Sequence, residues 1–412
     1  MSFYYIKFVL FSLIFLLNSS LAQPWIVLNS GTTQQLRGVY FINASTGFIC
    51  AYNGAILKTT NAGNNWTSQS TPSSILSSIY FVDQFTGYTT GGGGVILKTT
   101  NTGQNWVVQT NGTGQNMYSV HFPSNNTGYV AGSSGIVRKT TDAGNNWANI
   151  FNNLSGAVWS IYFTDNNTGY TVNTGGFVNK TTNGGINWAT ILSVSGYAFL
   201  DVKFINSNTG WVVGESGFTR KTTNGGSNWS SQFIPTSGFV WSVHFMSVNT
   251  GYAVGGNFNT NSYIISKTTN SGVNWSSQLA PINNELHCVF FTDSLTGYAV
   301  GYNGIIIKTT TGGVTAIQPI SNETPDGYKL YHNYLNPFNP KTSIIFQIPV
   351  SEFVILRIYD LQGHEVAVLI NEKLNPGIYK KEWDGTSYSS GVYFYRIEAG
   401  NFVQSKKMVL VK

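Results

Sequence analysis

The strongest constraint on the fold is a short motif that recurs along most of the chain. The tripeptide Lys-Thr-Thr occurs seven times, and the intervals between successive copies are 40, 41, 41, 41, 46 and 41 residues. Six of the copies continue through a glycine to an Asn-Trp pair. Such regular spacing is typical of repeat proteins, in which each unit buries its surface against its neighbours. The copies begin at Lys58, Lys98, Lys139, Lys180, Lys221, Lys267 and Lys308.

Each repeat has the pattern of four short β-strands. In the unit over residues 76–110, the β-rich runs are 78–81, 88–90, 95–99 and 106–109, and Gly, Asn and Asp residues separate them. Four strands in about 40 residues are typical of one blade of a β-propeller. The composition agrees, since the 45 glycines and 15% aromatic residues are unlike those of a helical or a disordered chain. The sequence therefore predicts an all-β fold.

Counting strands predicts how the ring of blades closes. The seventh unit stops after Lys308-Thr-Thr-Thr-Gly without its Trp, whereas Trp25 begins a strand-like run with no blade before it. Trp25 lies 33 residues before Lys58, and the other Trp-to-Lys intervals are 32, 33, 33, 33, 38 and 33. The run after Trp25 fits as the missing fourth strand of the last blade, which would remove exposed sheet edges. We predict a seven-bladed β-propeller over residues 23–312.

The repeated Thr-Thr-Asn-x-Gly-x-Asn-Trp resembles the Asp-box of the BNR repeat family, and only Asp142 keeps the acidic residue. The longer unit, TGYxxGxxGxIxKTTNxGxNW, is similar to the propellers of the photosystem II assembly factor family. This resemblance implies the propeller fold and a structural role for the repeated turns. It implies little about function, although assembly of a membrane protein complex is one role that it suggests.

The N-terminus has the pattern of a secretory signal peptide. Lys7 is followed by an apolar run over residues 8–17, and Ser20-Leu21-Ala22 offers a cleavage site before Gln23. Ten apolar residues are too few to cross a bilayer as a helix, and no later run approaches the required length. We expect residues 1–22 to be removed and the mature chain to have no transmembrane segment.

The last quarter of the chain loses the repeat. Residues 313–327 carry Pro, Ser, Asn and Asp, which is typical of a linker. Alternating strand-like runs with turn signals between them then predict a small immunoglobulin-like β-sandwich over residues 328–412. The runs are 344–348, 354–359, 365–369, 377–383, 392–397 and 407–411.

Several motifs of this module resemble the type A C-terminal sorting domain of the type IX secretion system. They are the opening residues 328–342, Ile358-Tyr-Asp with Gly363, Trp383-Asp-Gly, the run 390–395 and the lysine-bearing end 406–412. Leu335 departs from the pattern, which usually has Pro there. The resemblance implies the type IX machinery as a partner and passage through the periplasm to the outer cell surface or the medium. An ordinary adhesive sandwich is the alternative. The residues assigned to the sorting signal are Asn336, Pro337, Phe338, Asn339, Pro340, Gly391, Lys406, Lys407 and Lys412.

Comparing the repeats with one another separates fold positions from candidate ligand positions. Two residues before a recurrent Phe of the inner strand, every unit has Val or Ile, whereas the residue four before it varies. Large aromatic side chains at that position suit a carbohydrate or peptide ligand in a central pocket. The alternative is that they only fill the end of the propeller axis. The hypothesis assigns the pocket to Arg37, Tyr118, Trp159, Trp241 and His287, with Asp201 and Glu215 as further members.

Other function classes have weaker support. A glycan hydrolase needs a pair of carboxylates, and Asp201 with Glu215 is the pair to test; no residue is assigned as catalytic. Residues 23–327 hold eleven Lys/Arg against nine Asp/Glu, with seven of the basic residues spread evenly over the repeats, so nucleic-acid binding is not expected.

The sequence gives no reason to expect a cofactor or a metal. The five His residues have no spacing typical of metal ligands. The expected protein is a monomeric binding or scaffold protein. Cys50 and Cys288 belong to blades that would be neighbours in a closed ring, which leaves a disulfide open.

Overall fold

The computed structural model describes residues 24–412 except 74, 111, 151–153, 258, 259, 261, 314–318, 322 and 387. The predicted signal peptide, residues 1–22, lies outside the described residues and stays a prediction. The described chain forms nine four-stranded antiparallel sheets, which confirms the all-β fold. None of its helical segments has the length and apolar character that crossing a bilayer requires.

Seven of the sheets are propeller blades, and each blade is one sequence repeat. Blade 1 contains β2 (Leu36–Phe41), β3 (Gly47–Ala51), β4 (Ala55–Thr59) and β5 (Thr67–Ser70). Blade 2 contains β6 (Leu76–Phe81), β7 (Gly87–Gly91), β8 (Ile96–Thr99) and β9 (Val107–Gln109). Blade 3 contains β10 (Met117–His121), β11 (Gly128–Gly132), β12 (Val137–Thr140) and β13 (Ala148–Asn149). Blade 4 contains β14 (Val158–Phe163), β15 (Gly169–Asn173), β16 (Phe177–Thr181) and β17 (Ala189–Ser193).

Blades 5 to 7 follow the same plan. Blade 5 contains β18 (Phe199–Phe204), β19 (Gly210–Gly214), β20 (Phe218–Thr222) and β21 (Ser230–Phe233). Blade 6 contains β22 (Phe239–Phe245), β23 (Gly251–Asn257), β24 (Ser262–Thr268) and β25 (Ser276–Ser277). Blade 7 contains β26 (Leu286–Phe291), β27 (Gly297–Gly301) and β28 (Ile306–Thr309), and its fourth strand is β1 (Ile26–Leu28). Three single 3₁₀ turns lie between the second and third strands, at Gly92–Gly94, Ser133–Gly135 and Tyr302–Gly304.

The ring closes through the N-terminal strand. β1 pairs antiparallel with β28, and Ile26 lies opposite Lys308. Trp25, just before β1, is fully buried and meets Phe291 edge to face at 5.9 Å. Trp66 packs in the same way on Phe41 in blade 1, and the other five blades repeat the contact. Trp25 therefore takes the structural place of the Trp that the seventh repeat lacks.

The repeated Lys-Thr-Thr and Asp-box residues join neighbouring blades. Lys58 Nζ donates a hydrogen bond to the carbonyl of Thr102 in the Asp-box turn of the next blade, at 2.6 Å. Lys308 Nζ donates likewise to Ala62, which links blade 7 to blade 1. Inside the turn, Asn61 Oδ1 accepts from the Asn65 N–H at 3.0 Å. These contacts explain why the motif recurs around the ring, and they give it a structural role.

The C-terminal residues form two sheets that share one hydrophobic core. One sheet has the order β29 (Pro319–Ser321), β34 (Gly377–Asp384), β31 (Lys341–Ile348), β30 (Lys329–Leu330). The other has the order β33 (Glu365–Leu374), β32 (Glu352–Tyr359), β35 (Gly391–Ala399), β36 (Phe402–Leu410). Phe346 and Trp383 of the first sheet pack in the same core as Leu356 and Ile397 of the second. The arrangement is a β-sandwich, and β29 belongs to it although residues 313–327 had the composition of a linker.

The residues assigned to the sorting signal lie in the first and last parts of the sandwich sequence, and the loop that begins at Asn336 contacts the last strand. Asn336 Oδ1 accepts the N–H of Val409 at 2.9 Å, and the Phe338 N–H donates to the Val409 carbonyl at 3.0 Å. The Phe338 ring is buried against Trp383, with ring centroids 5.4 Å apart. Pro337, Asn339 and Pro340 complete that loop; Gly391 opens β35, Lys406 and Lys407 lie on β36, and Lys412 follows it.

Candidate functional site

Every blade has the same irregularity in its innermost strand. In β2, the pairing with β3 passes from Leu36 directly to Gly38, so Arg37 is an extra residue in the ladder. The same shift occurs in the other six blades. A β-bulge of this kind bends a strand and re-aims the side chain of the extra residue. Here all seven extra residues line a cavity at the centre of the propeller.

The central cavity has a volume of about 520 Å³ and is lined by three rings of side chains. The upper ring consists of the bulge residues Arg37, Ser77, Tyr118, Trp159, Leu200, Trp241 and His287. The middle ring consists of the residues that follow them, Gly38, Ser78, Ser119, Ser160, Asp201, Ser242 and Cys288. The lower ring consists of Tyr40, Tyr80, His121, Tyr162, Lys203, His244 and Phe290.

The upper ring has an aromatic wall on the side of blades 3 to 7. Tyr118 stacks on Trp159 with ring centroids 4.6 Å apart and planes 13° apart. Trp159 meets Trp241 edge to face at 5.6 Å, and Trp241 meets His287 at the same distance. The indole N–H of Trp241 donates to the carboxylate of buried Glu285, which fixes the ring. The wall is thus continuous across the bulges of four blades.

The part of the cavity wall formed by blades 1 and 2 combines small and large residues. Gly38, Ser77, Ser78 and Gly92 do not extend far into the cavity, whereas the larger side chains near the upper ring on this side are Arg37, Tyr52 and Ile75. The hydroxyls of both serines make no hydrogen bond to another described residue.

Arg37 is positioned by a small polar cluster. The Gln35 side-chain oxygen accepts hydrogen bonds from Arg37 Nε at 3.3 Å, Arg37 Nη2 at 3.2 Å and His287 Nε2 at 2.7 Å. The guanidinium also lies 5.4 Å from the centroid of the Tyr52 ring, in cation–π geometry. No carboxylate of the described chain lies within ion-pair distance of it. Burial lowers the pKa of Arg37, and burial raises the pKa of the nearby Glu285.

His287 is held neutral in this cluster. Burial, with a further contribution from Arg37, keeps the pKa of His287 well below its ordinary value. A neutral ring that donates from Nε2 to Gln35 leaves Nδ1 as a hydrogen-bond acceptor. That Nδ1 atom is buried and has no partner in the described chain, and the same is true of the indole N–H of Trp159. Seven other Trp residues, none of which lines the cavity, have an equally unpaired indole N–H, so this property does not distinguish the cavity.

The lower ring is a nearly continuous belt of rings. Tyr40 contacts Tyr80 and Phe290, with centroids 5.3 and 5.1 Å apart. The belt includes Lys203, whose ammonium lies 5.7 Å from the Tyr162 centroid and 3.6 Å from the Asp201 carboxylate. Burial opposes the charge of Lys203, but Asp201, followed by Cys288 and Tyr162, raises its pKa above the ordinary value. Lys203 therefore carries a positive charge at the base of the cavity.

The two histidines of the lower ring are neutral. Burial, and next the charge of Lys203, lower the pKa of His121 to about 3 and that of His244 to about 4. His121 Nδ1 accepts the N–H of Phe163 in the next blade at 3.3 Å, which suits the uncharged form. The charged side chains that line the cavity at neutral pH are thus Arg37, Lys203 and Asp201, a net charge of +1.

Asp201 connects three blades. Its Oδ1 accepts from Ser160 Oγ at 2.8 Å in blade 4, and its Oδ2 accepts from the Val243 N–H at 3.0 Å in blade 6. Ser119 and Ser242 in the same ring also accept a backbone N–H of the following blade. With Lys203 as a further neighbour, the carboxylate is engaged on both oxygens, which suits a structural role better than a catalytic one.

The structure brings six of the seven candidate site residues together and leaves out Glu215. Glu215 follows β19, and its carboxylate accepts the N–H of Ala198 in its own blade at 3.4 Å. It is not among the cavity-lining residues, so Asp201 and Glu215 do not share a site. Sequence reasoning missed Gln35, Glu285 and the lower ring. The lower ring had a detectable signal, because its members vary from blade to blade as the upper ring does.

Two other expectations concern metal and redox chemistry. Among the described residues, no group of three or more His, Cys, Asp or Glu side chains is arranged to hold a metal ion. Cys50 and Cys288 are free thiols in the structure. Burial, with the neighbouring Cys288, raises the pKa of Cys50 to about 12.

Comparisons with protein families match one family to propeller repeats and another to the C-terminal sandwich. Residues 17–107 and 71–198 match the family described as photosynthesis system II assembly factor YCF48. Residues 334–412 match the secretion system C-terminal sorting domain. The chain therefore combines YCF48-like propeller repeats with a sorting domain that indicates secretion to the outer cell surface or the extracellular space. No curated protein sequence matches the chain significantly.

Solved propellers share the fold at low sequence identity. A structure described as "YCF48 bound to D1 peptide" is 17% identical, with a TM-score of 0.59 over 70% of this chain and 97% of that one. YCF48 from Cyanidioschyzon merolae is 16% identical, with a TM-score of 0.58 over 69% and 98%. The WD40 propeller domain of Doa1 is 11% identical, with a TM-score of 0.57 over 68% and 94%. These likenesses show the propeller fold alone.

Proposed function

We propose that this chain, a YCF48-like propeller with a C-terminal secretion sorting domain, is an exported binding protein whose ligand enters the central cavity. One observation carries the proposal: seven β-bulges turn the variable residues of the inner strands into a single cavity, and the aromatic ones are gathered on one side. If these side chains served only to fill the axis, they would not leave an open volume of about 520 Å³ beside them.

The chemistry of the wall favours a ligand with a flat apolar face and polar edges. Stacked Tyr118 and Trp159 offer aromatic surface, and the hydroxyls of Ser77 and Ser78 offer hydrogen bonds. Apolar walls with a few placed polar groups are typical of small-ligand sites. A carbohydrate fits this description best. An aromatic peptide segment is the second candidate, since the structural neighbour described as "YCF48 bound to D1 peptide" binds a peptide.

The experiment compares an alanine variant inside the cavity with one outside it. Trp159→Ala removes the centre of the aromatic wall, whereas Trp106→Ala removes a half-buried Trp of the outer strand region in blade 2. Arrays of glycans and peptides, followed by calorimetry, should show binding by the unaltered protein and by Trp106→Ala. We expect Trp159→Ala to lose at least tenfold in affinity, because base or sugar stacking on an aromatic ring contributes about 1–3 kcal/mol.

The stability of each variant decides how the result is read. A melting temperature that stays unchanged in Trp159→Ala, together with lost binding, supports the cavity as the binding site. Binding that survives in Trp159→Ala and in the corresponding Trp241→Ala would refute it. Loss of folding in both would instead show that the wall serves the propeller core.

A further inference from the structure

We propose that the ligand of the central cavity is an acidic sugar, a pyranose that carries a carboxylate, bound with its ring on the Tyr118–Trp159 pair and its carboxylate at Arg37. This inference rests on the proposed function and adds the chemical class of the ligand. Its basis is the juxtaposition of an aromatic surface, an arginine that makes no ion pair, and the unpaired hydroxyls of Ser77 and Ser78 in one cavity.

The arginine supplies the charge requirement. Arg37 lines the cavity, and Gln35 positions it through two N–H groups. The carboxylate of Glu285 interacts favourably with Arg37 but lies beyond ion-pair distance. A guanidinium presents paired donors that match the two oxygens of a carboxylate. A ligand carboxylate would therefore supply the direct ion pair that the described chain does not.

The base of the cavity adds to the positive potential. Lys203 keeps 39% of its side-chain surface accessible and lines the cavity, while Asp201, its ion-pair partner, is shared with backbone and serine donors. With the three histidines neutral, the lining has two cations and one anion. Although the nearby carboxylate of Glu285 offsets part of the charge of Arg37, two cations on the lining favour a ligand with a negative charge.

The polar groups of the wall match hydroxyls. Ser77 and Ser78 line the cavity, and their hydroxyls make no hydrogen bond to another described residue. Sugar hydroxyls both donate and accept, so a sugar ring can bond to both serines while its apolar face lies on an aromatic ring. Acidic sugars combine these hydroxyls with the carboxylate that Arg37 requires.

The test uses matched pairs of oligosaccharides that differ only in the carboxylate. The mature chain, residues 23–412, is titrated by calorimetry at low salt with trimers of galacturonate, mannuronate and glucuronate, and with the corresponding neutral trimers. We expect at least one uronate trimer to bind ten or more times as tightly as its neutral counterpart. An acidic aromatic peptide serves as the third kind of probe.

Two arginine variants locate the charge recognition. Arg37→Gln should lower uronate affinity at least tenfold and abolish the preference over the neutral trimer. Arg220→Gln removes the same charge from β20, where Arg220 donates to the Thr219 carbonyl away from the cavity, and should leave binding unchanged. Melting temperatures of both variants confirm that each is folded.

The outcomes separate this inference from the proposed function. In one outcome, the neutral trimers or the peptide bind as tightly as every uronate, and Trp159→Ala abolishes this binding. That result would retain the cavity as the binding site but overturn the inference that the ligand is an acidic sugar. Uronate binding that is equal in Arg37→Gln and Arg220→Gln would also overturn it, as would a panel in which no uronate binds. Selective uronate binding that only Arg37→Gln abolishes supports it.

Discussion

Residues at equivalent places in the seven blades have two different uses. The repeated lysines all lie on the third strand, and six of them, Lys58 and Lys98 among them, donate a hydrogen bond to a carbonyl of the next blade. The bulge residues differ in size and charge from blade to blade, from Ser77 to Trp159. A position that is constant within the ring holds blades together, whereas a variable position on the axis shapes the cavity. Repetition within a single chain therefore separates structural from candidate binding residues.

Sequence comparison found the bulge residues but not their geometry. Alignment of the repeats identified Arg37, Trp159 and their equivalents as variable positions. The alternation of inward and outward side chains along a strand does not show in the sequence where a bulge inserts an extra residue. The bulge appears only in the pairing of β2 with β3 and its counterparts. Glu215 was included because its loop shares a face with the cavity mouth. Its hydrogen bond with the Ala198 N–H depends on how the side chain packs, which the sequence pattern does not specify.

The buried histidine His121 predicts how stability depends on pH. Because its pKa is about 3 in the folded protein and about 6.5 when unfolded, the unfolded chain binds an extra proton between these values. Stability should therefore fall as the pH drops below about 6.5, by up to about 1.4 kcal/mol per pH unit for this group. His121→Phe, with the residue that blade 7 has at the equivalent position, should make the unfolding free energy less dependent on pH.

Urea unfolding at pH 7, 6, 5 and 4.5 measures that dependence. The variant loses the hydrogen bond to the Phe163 N–H at every pH, which lowers its stability by about 1 kcal/mol without changing the slope. A slope between pH 6.5 and 4.5 that is the same in the variant and in the unaltered protein would contradict a neutral His121.

At the level of elements, interval counting predicted the strand that closes the ring but not the strand β29. The Trp25 segment has the same distance to the next Lys-Thr-Thr as four of its six counterparts, so its pairing with β28 could be predicted. β29 is three residues long, begins with Pro, and pairs with β34 more than fifty residues later. A short strand whose partner is so distant leaves no periodic signal in the sequence.

Alanine substitutions of two equivalent Trp residues should lower stability by different amounts, because one of them immediately precedes the closing strand. Trp25 is fully buried between blades, whereas Trp106 at the equivalent place in blade 2 is only half-buried. Trp25→Ala should lower the unfolding free energy by about 3–5 kcal/mol, because it removes a large buried side chain from the contact that joins the two ends of the ring. Trp106→Ala should cost clearly less. Chemical denaturation of both variants makes the comparison, and equal losses would argue against a special role for the closing strand.

At the scale of the whole molecule, the segment that matches the sorting domain and the proposed binding cavity belong to separate cores. The sandwich core is made only of residues from 330 to 410, and the cavity is lined only by propeller residues. The family resemblance of each part could be predicted from the sequence, because each part carries several spaced motifs. The ligand could not be predicted from the sequence, since it depends on which side chains the bulges bring together in the cavity.

This separation predicts that removing the sandwich changes location and leaves binding intact. A chain ending at residue 313 keeps all seven blades and β1, but lacks every strand of the sandwich and the region that matches the secretion sorting domain. Expressed in a bacterium with a type IX secretion system, it should accumulate in the periplasm, while the full chain reaches the cell surface or the medium. Fractionation with immunoblotting measures location, and the purified truncated chain should bind the cavity ligand as tightly as the full chain. Export of the truncated chain would show that the sandwich is not the sorting element, and weakened binding would show that recognition extends beyond the propeller.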